Sequence, residues 1–215
     1  MTVTTDAATL WTAIHAERAA LADDLADLTP AQWAAPSLCG DWSVEEVVAH
    51  LTAAASIGRW RWIASIVGAR FDAGVHNARR LAEHRGGTPA ETLARFRAAV
   101  TSTVVPTGHV AAWLGEIVVH GEDIRRPLGL VRTPPAAVTT EVARFFAARD
   151  FTVNSKRLVA GLHLEATDGP FATGEGLLAT GPTLALVMVM AGRTSHLDDL
   201  DGPGVATLRE RLAGK

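Results

Sequence analysis

A carboxylate and an imidazole stand one helical turn apart at Glu116 and His120, on a stripe that the sequence otherwise gives to the core. Trp113, Ile117 and Ile124 recur around them at the spacing of the inward face of an amphipathic helix. An ionised side chain on such a face opposes folding unless a partner charge, a hydrogen bond or a metal ion compensates it. Any fold open to this chain must therefore bring compensation to Glu116. His50 lies on the Val47, Leu51 and Ala54 face of another predicted helix and is a candidate to supply it. His50, Glu116 and His120 together make three candidate metal ligands that leave a coordination position open.

Plainer readings stand beside that one. His50 alone fits a core histidine bonded to a backbone carbonyl. Glu116 and His120 alone fit a simple i,i+4 contact, although such pairs normally lie on the solvated face. Asp123, three residues past His120, is placed either to orient an imidazole or only to offset Arg126 at the surface.

The pattern predicts helices through residue 130 and a mixed unit after it. Leu10, Ile14, Leu21, Leu25 and Leu28 outline a first helix that begins near Thr5 and Asp6 and stops before Pro30. A turn-rich link, Ala35 to Trp42, follows. Ser43-Val44-Glu45-Glu46 reads as a capping box that opens a second helix running toward Val67. A short helical segment covers Val75 to His84. Thr88-Pro89-Ala90-Glu91 reads as another capping box, opening a helix through Val100. The helix of Glu116 and His120 spans Val110 to Arg126, with Pro127 and Gly129 as its stop. Four sizeable helices with short links predict an antiparallel bundle, whose core is a usual place for a metal site.

After Thr133-Pro134-Pro135 a helix is expected over Ala136 to Arg149. Leu158 to Thr167 alternates as a half-buried strand, and a second short strand includes Leu177 and Leu178. Gly181-Pro182 and Gly202-Pro203 open two further helices, to Met190 and Leu212. The expected domains are residues 1–131, a metal-binding helix bundle, and 132–215, a small α+β unit.

Composition narrows the partners. The chain has 215 residues, 48% apolar and 20% charged, enough for a sizeable core. Its formal net charge of -3 gives no electrostatic case for nucleic acid or an anionic membrane. Cys39 is the only cysteine, which excludes an intrachain disulfide and is consistent with a reducing compartment. The first residues lack a basic stretch followed by an apolar one, and the longest apolar run, Leu184 to Ala191, is too short to span a bilayer. A cytoplasmic location is the expectation.

Two imidazoles and one carboxylate give a divalent ion three protein ligands. Zinc suits the set best, while nickel, iron and manganese also accept it. Bound to such an ion, a water or a thiol is acidified to hydroxide or thiolate near neutral pH. The remaining histidines, His15, His76, His84, His109, His163 and His196, have no partner at ligand spacing on an inward face. Cys39, just before a helix N-terminus, is open to a nucleophilic role, but the favoured reading is a small residue packing beside Trp42. Trp33 and Trp42 read as packing residues, and Trp60 or Trp62 as a candidate pocket lining.

Three stretches resemble a known family. They are Leu28-Thr29-Pro30-Ala31-Gln32-Trp33, Pro36 through Val44, and Val48-Ala49-His50-Leu51, joined by a second signature from His120 to Arg126. The pattern is similar to the mycothiol-dependent maleylpyruvate isomerase family, a branch of the wider DinB-like metalloenzyme superfamily. Gly161 to Asp168, Ala191-Gly192-Arg193 and Leu200 to Gly204 resemble its small, sterol-carrier-like C-terminal appendage.

That resemblance implies a mainly α fold, a DinB-like antiparallel four-helix bundle followed by a small α+β sterol-carrier-like domain. It implies a zinc-type site at His50, Glu116 and His120 and the small-molecule thiol mycothiol as cosubstrate. In the isomerase, thiolate adds to a cis double bond, the resulting single bond rotates, and elimination returns the trans isomer. Arg193 then becomes a candidate catalytic residue that binds a substrate carboxylate, since a guanidinium matches that group bidentately. The leading expectation is a metal- and thiol-dependent isomerase or S-transferase acting on a small electrophile. A metal-water hydrolase of a thiol conjugate and a non-enzymatic small-ligand or lipid binder are the alternatives.

Overall fold

The computed structural model describes residues 5–70, 72–105, 108–151 and 153–214, without the side chains of Trp62, Ala73 and His76. Within them the chain is mainly helical and divides into two compact units, Met1–Arg132 and Thr133–Lys215. No helix among the described residues is long and apolar enough to cross a membrane.

The first unit contains α1 (Ala7–Asp24), α2 (Pro30–Trp33), α3 (Val44–Ser56), α4 (Arg59–Gly68), α5 (Ala73–His84), α6 (Pro89–Ala99) and α7 (Val110–Leu128). Helix α1 packs on α6 and α7, and α3 packs on α5, α6 and α7. Ile14, Leu21, Val47, Val48, Phe96, Ile117 and Ile124, each 2% exposed or less, form the shared core. Burying a side chain of this kind stabilises by about 1.5–3 kcal/mol.

Ser43 opens α3 with the predicted reciprocal cap. Its hydroxyl accepts from the Glu46 N–H while its own N–H donates to the Glu46 carboxylate. The box at Thr88 is only half made: its hydroxyl accepts from Glu91 N–H, but the Glu91 carboxylate turns to the N–H of Gly87. The expected single helix from Ser43 to Val67 is two, because Ile57 is extended and Gly58 begins α4. Of the two tryptophans proposed to line a pocket, Trp60 is 80% exposed and the Trp62 side chain lies outside the described residues.

Pro127 does not stop α7 as predicted; it lies inside the last turn, and Gly129, at φ 68°, ends the helix. The Leu130 N–H closes the end on the Arg125 carbonyl. Pro127 has no N–H to give the carbonyl one turn earlier, that of Asp123. The N–H of Leu38 takes that carbonyl instead, at 3.0 Å, and so ties the 34–43 loop to α7.

The second unit contains α8 (Ala136–Ala148), α9 (Ser155–Leu158), β1 (Leu162–Ala166), β2 (Ala172–Thr173), β3 (Leu177–Gly181), α10 (Thr183–Met190), a 3-10 helix (Thr194–Asp199) and α11 (Gly204–Ala213). Its small mixed sheet runs β2-β1-β3, with β2 antiparallel and β3 parallel to β1 and Leu164 opposite Ala179. The predicted strand starts later than expected because residues 155–158 turn as α9. Leu162 and Leu164 point inward as the alternation requires. Helix α10 is apolar on nearly every side and is buried against α8, the sheet and the 3-10 helix.

Candidate metal centre

His50 comes from the middle of α3 and Glu116 and His120 from successive turns of α7, two helices in direct contact. Their ligand atoms all lie within 4.8 Å of one another. Glu116 does not simply pair along its own helix: Oε1 is 3.7 Å from His120 Nε2 but 2.7 Å from His50 Nε2. The His50 and His120 rings meet edge to face with centroids 5.0 Å apart. His50 is thus bonded to a carboxylate across the bundle and not to a carbonyl of the core.

The centre is less enclosed than the helical stripe suggests. The side chains of His50, Glu116 and His120 keep 20%, 21% and 12% exposure. Such a position leaves the cluster reachable while its supporting groups are sealed. Asp123, fully buried, accepts from His120 Nδ1 at 2.9 Å and so takes the orienting role and not the surface one. Trp42 packs against the other imidazole, its ring centroid 5.0 Å from that of His50.

Electrostatics here call for a cation. Burial alone pushes the His120 imidazole down, yet the Glu116 charge, the Asp123 hydrogen bond and Cys39 outweigh it, raising it to about 10. Without an ion a proton takes that place. Two imidazole nitrogens and a carboxylate oxygen turned toward one point fit a divalent metal, both in donor type and in the positive charge they attract.

Two neighbours were not part of the predicted site. Arg18 of α1, buried, donates to the Ser102 carbonyl at 2.8 Å; burial pushes it down to about 10 against the attraction of Glu116. Its signal was its place between Ile14 and Leu21 on the apolar stripe. Cys39 is the second: it is half-buried, and its sulfur lies within 4.8 Å of a ring nitrogen of His120, a neighbour that the reading as a packing residue beside Trp42 did not include. Arg193 lies in the second unit, at the start of the 3-10 helix, where it donates to the Ala191 carbonyl at 2.8 Å. His76 falls outside the described side chains. His196, buried, lies 3.1 Å from the Ser195 hydroxyl.

The chain is similar to known proteins in part of its sequence and in its fold. The family described as the mycothiol maleylpyruvate isomerase N-terminal domain matches residues 14–107. No curated protein matches the chain. A crystal structure of the mycothiol-dependent maleylpyruvate isomerase is similar at 15% identity and TM-score 0.64, covering 93% of each chain. A histidine-to-alanine mutant of that enzyme matches equally, with TM-score 0.62, 15% identity and 93% of each chain. The chain therefore matches the model of that N-terminal domain over residues 14–107 and shares the isomerase's fold over nearly its whole length.

Proposed function

We propose that this protein is a metal- and thiol-dependent enzyme that binds a divalent ion through His50, Glu116 and His120 and acts, with mycothiol, on a small electrophile. The observation that carries the reading is the convergence of those three donor atoms from two packed helices. Zinc is the proposed ion, with nickel, iron and manganese compatible with the same donors. When bound, the ion supplies an open coordination position and lowers the pKa of a thiol there, so that thiolate is present near neutral pH.

The residues have separable tasks in this reading. His50 and His120 offer neutral nitrogens, and Glu116 supplies the one negative charge among the ligands. Asp123 holds the His120 Nδ1–H and so keeps Nε2 turned toward Glu116. Trp42 walls the His50 side and limits its rotation. Arg193 is proposed to bind a substrate carboxylate from the second unit. Isomerisation or S-transfer is the proposed reaction; the printed name of a relative at 15% identity supports the class and not the substrate.

The domain reading is proposed with it. The first unit is read as a DinB-like metal-binding bundle built on α1, α3, α6 and α7, and the second as a sterol-carrier-like appendage. A cytoplasmic location, where a reduced thiol is available, completes the proposal. The test is the metal content of the purified protein followed by titration with mycothiol. Stoichiometric metal and a changed ligand field on adding thiol are expected. Metal that responds to water-derived ligands but not to thiol favours the hydrolase, and protein without metal favours the ligand binder.

A further inference from the structure

A second set of ligand atoms overlaps the first. Cys39, His120 and Asp123 each offer one, and these three also lie within 4.8 Å of one another. Ligands on one zinc-sized ion, at bonds of about 2.3 Å to sulfur and 2.0 Å to nitrogen or oxygen, stand roughly 3.3–3.8 Å apart, so the hydrogen-bonded His120–Asp123 pair must open slightly and any wider pair close by about 1 Å or less. Within this set His120 Nδ1 lies 2.9 Å from Asp123 Oδ2. Nε2 faces Glu116. A neutral imidazole has a single free lone pair, so His120 serves one set at a time.

The backbone of the loop that carries the thiol is held in place by several hydrogen bonds. Cys39 N–H donates to the Ser37 hydroxyl at 3.1 Å, which in turn donates to the Trp42 carbonyl at 2.7 Å. Trp42 N–H returns to the Cys39 carbonyl at 3.2 Å. Leu38 N–H anchors the loop on the carbonyl of Asp123 itself, the one that Pro127 leaves without a helical donor. One residue thus fixes the loop with its backbone and faces the thiol's cluster with its carboxylate. Asp123 is sealed, and Cys39 keeps partial access to solvent.

We propose that Cys39, His120 and Asp123 form a second donor set for a thiophilic cation, alternative to His50, Glu116 and His120. A thiolate is the soft ligand that the first set lacks, so cations that prefer sulfur, such as cadmium, are drawn to it. The inference goes beyond the proposed enzyme and does not require that the first set be its working centre.

The test is a cadmium titration of the full chain in thiol-free buffer, read as the ultraviolet thiolate-to-metal charge-transfer band. Because the chain has a single cysteine, the band has one assignment. It is expected in the wild type, to be abolished in Cys39→Ser, and to persist when His50→Ala and Glu116→Gln are combined. Cadmium bound by the wild type without the band overturns the inference while leaving the first set intact. A band that survives Cys39→Ser also overturns it. Should the double variant fail to fold, the wild-type and Cys39→Ser pair decides alone.

Discussion

His120 and Asp123 are joined by a 2.9 Å bond between the imidazole Nδ1 and a carboxylate with no solvent exposure. The bond fixes which ring nitrogen is left to face Glu116. Replacing Asp123 by Ala is expected to weaken zinc binding about 10–100-fold. Competition against a chromophoric chelator measures it, with circular dichroism to show that the helices persist. Unchanged affinity would leave Asp123 as a buried structural partner only.

The charge of Glu116, with this bond and Cys39 adding to it, gives the metal-free protein a pH signature. The folded His120 imidazole is raised from its ordinary 6.5 to about 10. A group held protonated by the fold stabilises fully below its unfolded pKa, and that stabilisation disappears as pH rises through the folded value. The urea midpoint of the metal-free wild type is therefore expected to exceed that of His120→Gln most near about pH 6, with the gap closing toward about pH 10. A gap independent of pH contradicts the assignment. Zinc must displace the same proton, so its apparent affinity rises across this window.

Glu45 tests the frame without touching the centre. It is 7% exposed, accepts from the buried Thr92 hydroxyl at 2.9 Å and from Arg85 Nε at 3.0 Å, and so ties α3 to α6 and to the end of α5. Glu45→Ala removes both bonds, leaving Thr92 its longer bond to the Thr88 carbonyl and Arg85 to solvent, and is expected to destabilise by about 1 kcal/mol. Chemical denaturation reads the loss. Zinc affinity of the folded variant should stay at the wild-type level; a large drop would mean that the helix pair and the centre are not separable.

Helical periodicity made the trio readable in advance. Ser43 sets the phase of α3, and seven residues later His50 falls on the face that meets α7; the stripe around Ile117 does the same for Glu116 and His120. What the periodicity did not carry is set by tertiary contacts. The position of Cys39 depends on Leu38 finding the Asp123 carbonyl, a partner distant in sequence and freed by Pro127. The break at Ile57 and Gly58 interrupts a stretch that reads as continuous helix. Arg18, on the apolar stripe between Ile14 and Leu21, takes its place from burial and from the attraction of Glu116, neither of which local periodicity carries.

His50, Glu116 and His120 are proposed to hold an ion with a position open to an external thiol. Cobalt-loaded Cys39→Ser protein tests it most directly, since that variant contributes no thiol of its own. Visible cobalt bands are expected, and on adding mycothiol a new thiolate-to-cobalt charge-transfer band that Glu116→Gln abolishes. Cobalt that fails to bind, or binds and gives no such band with mycothiol, would contradict it.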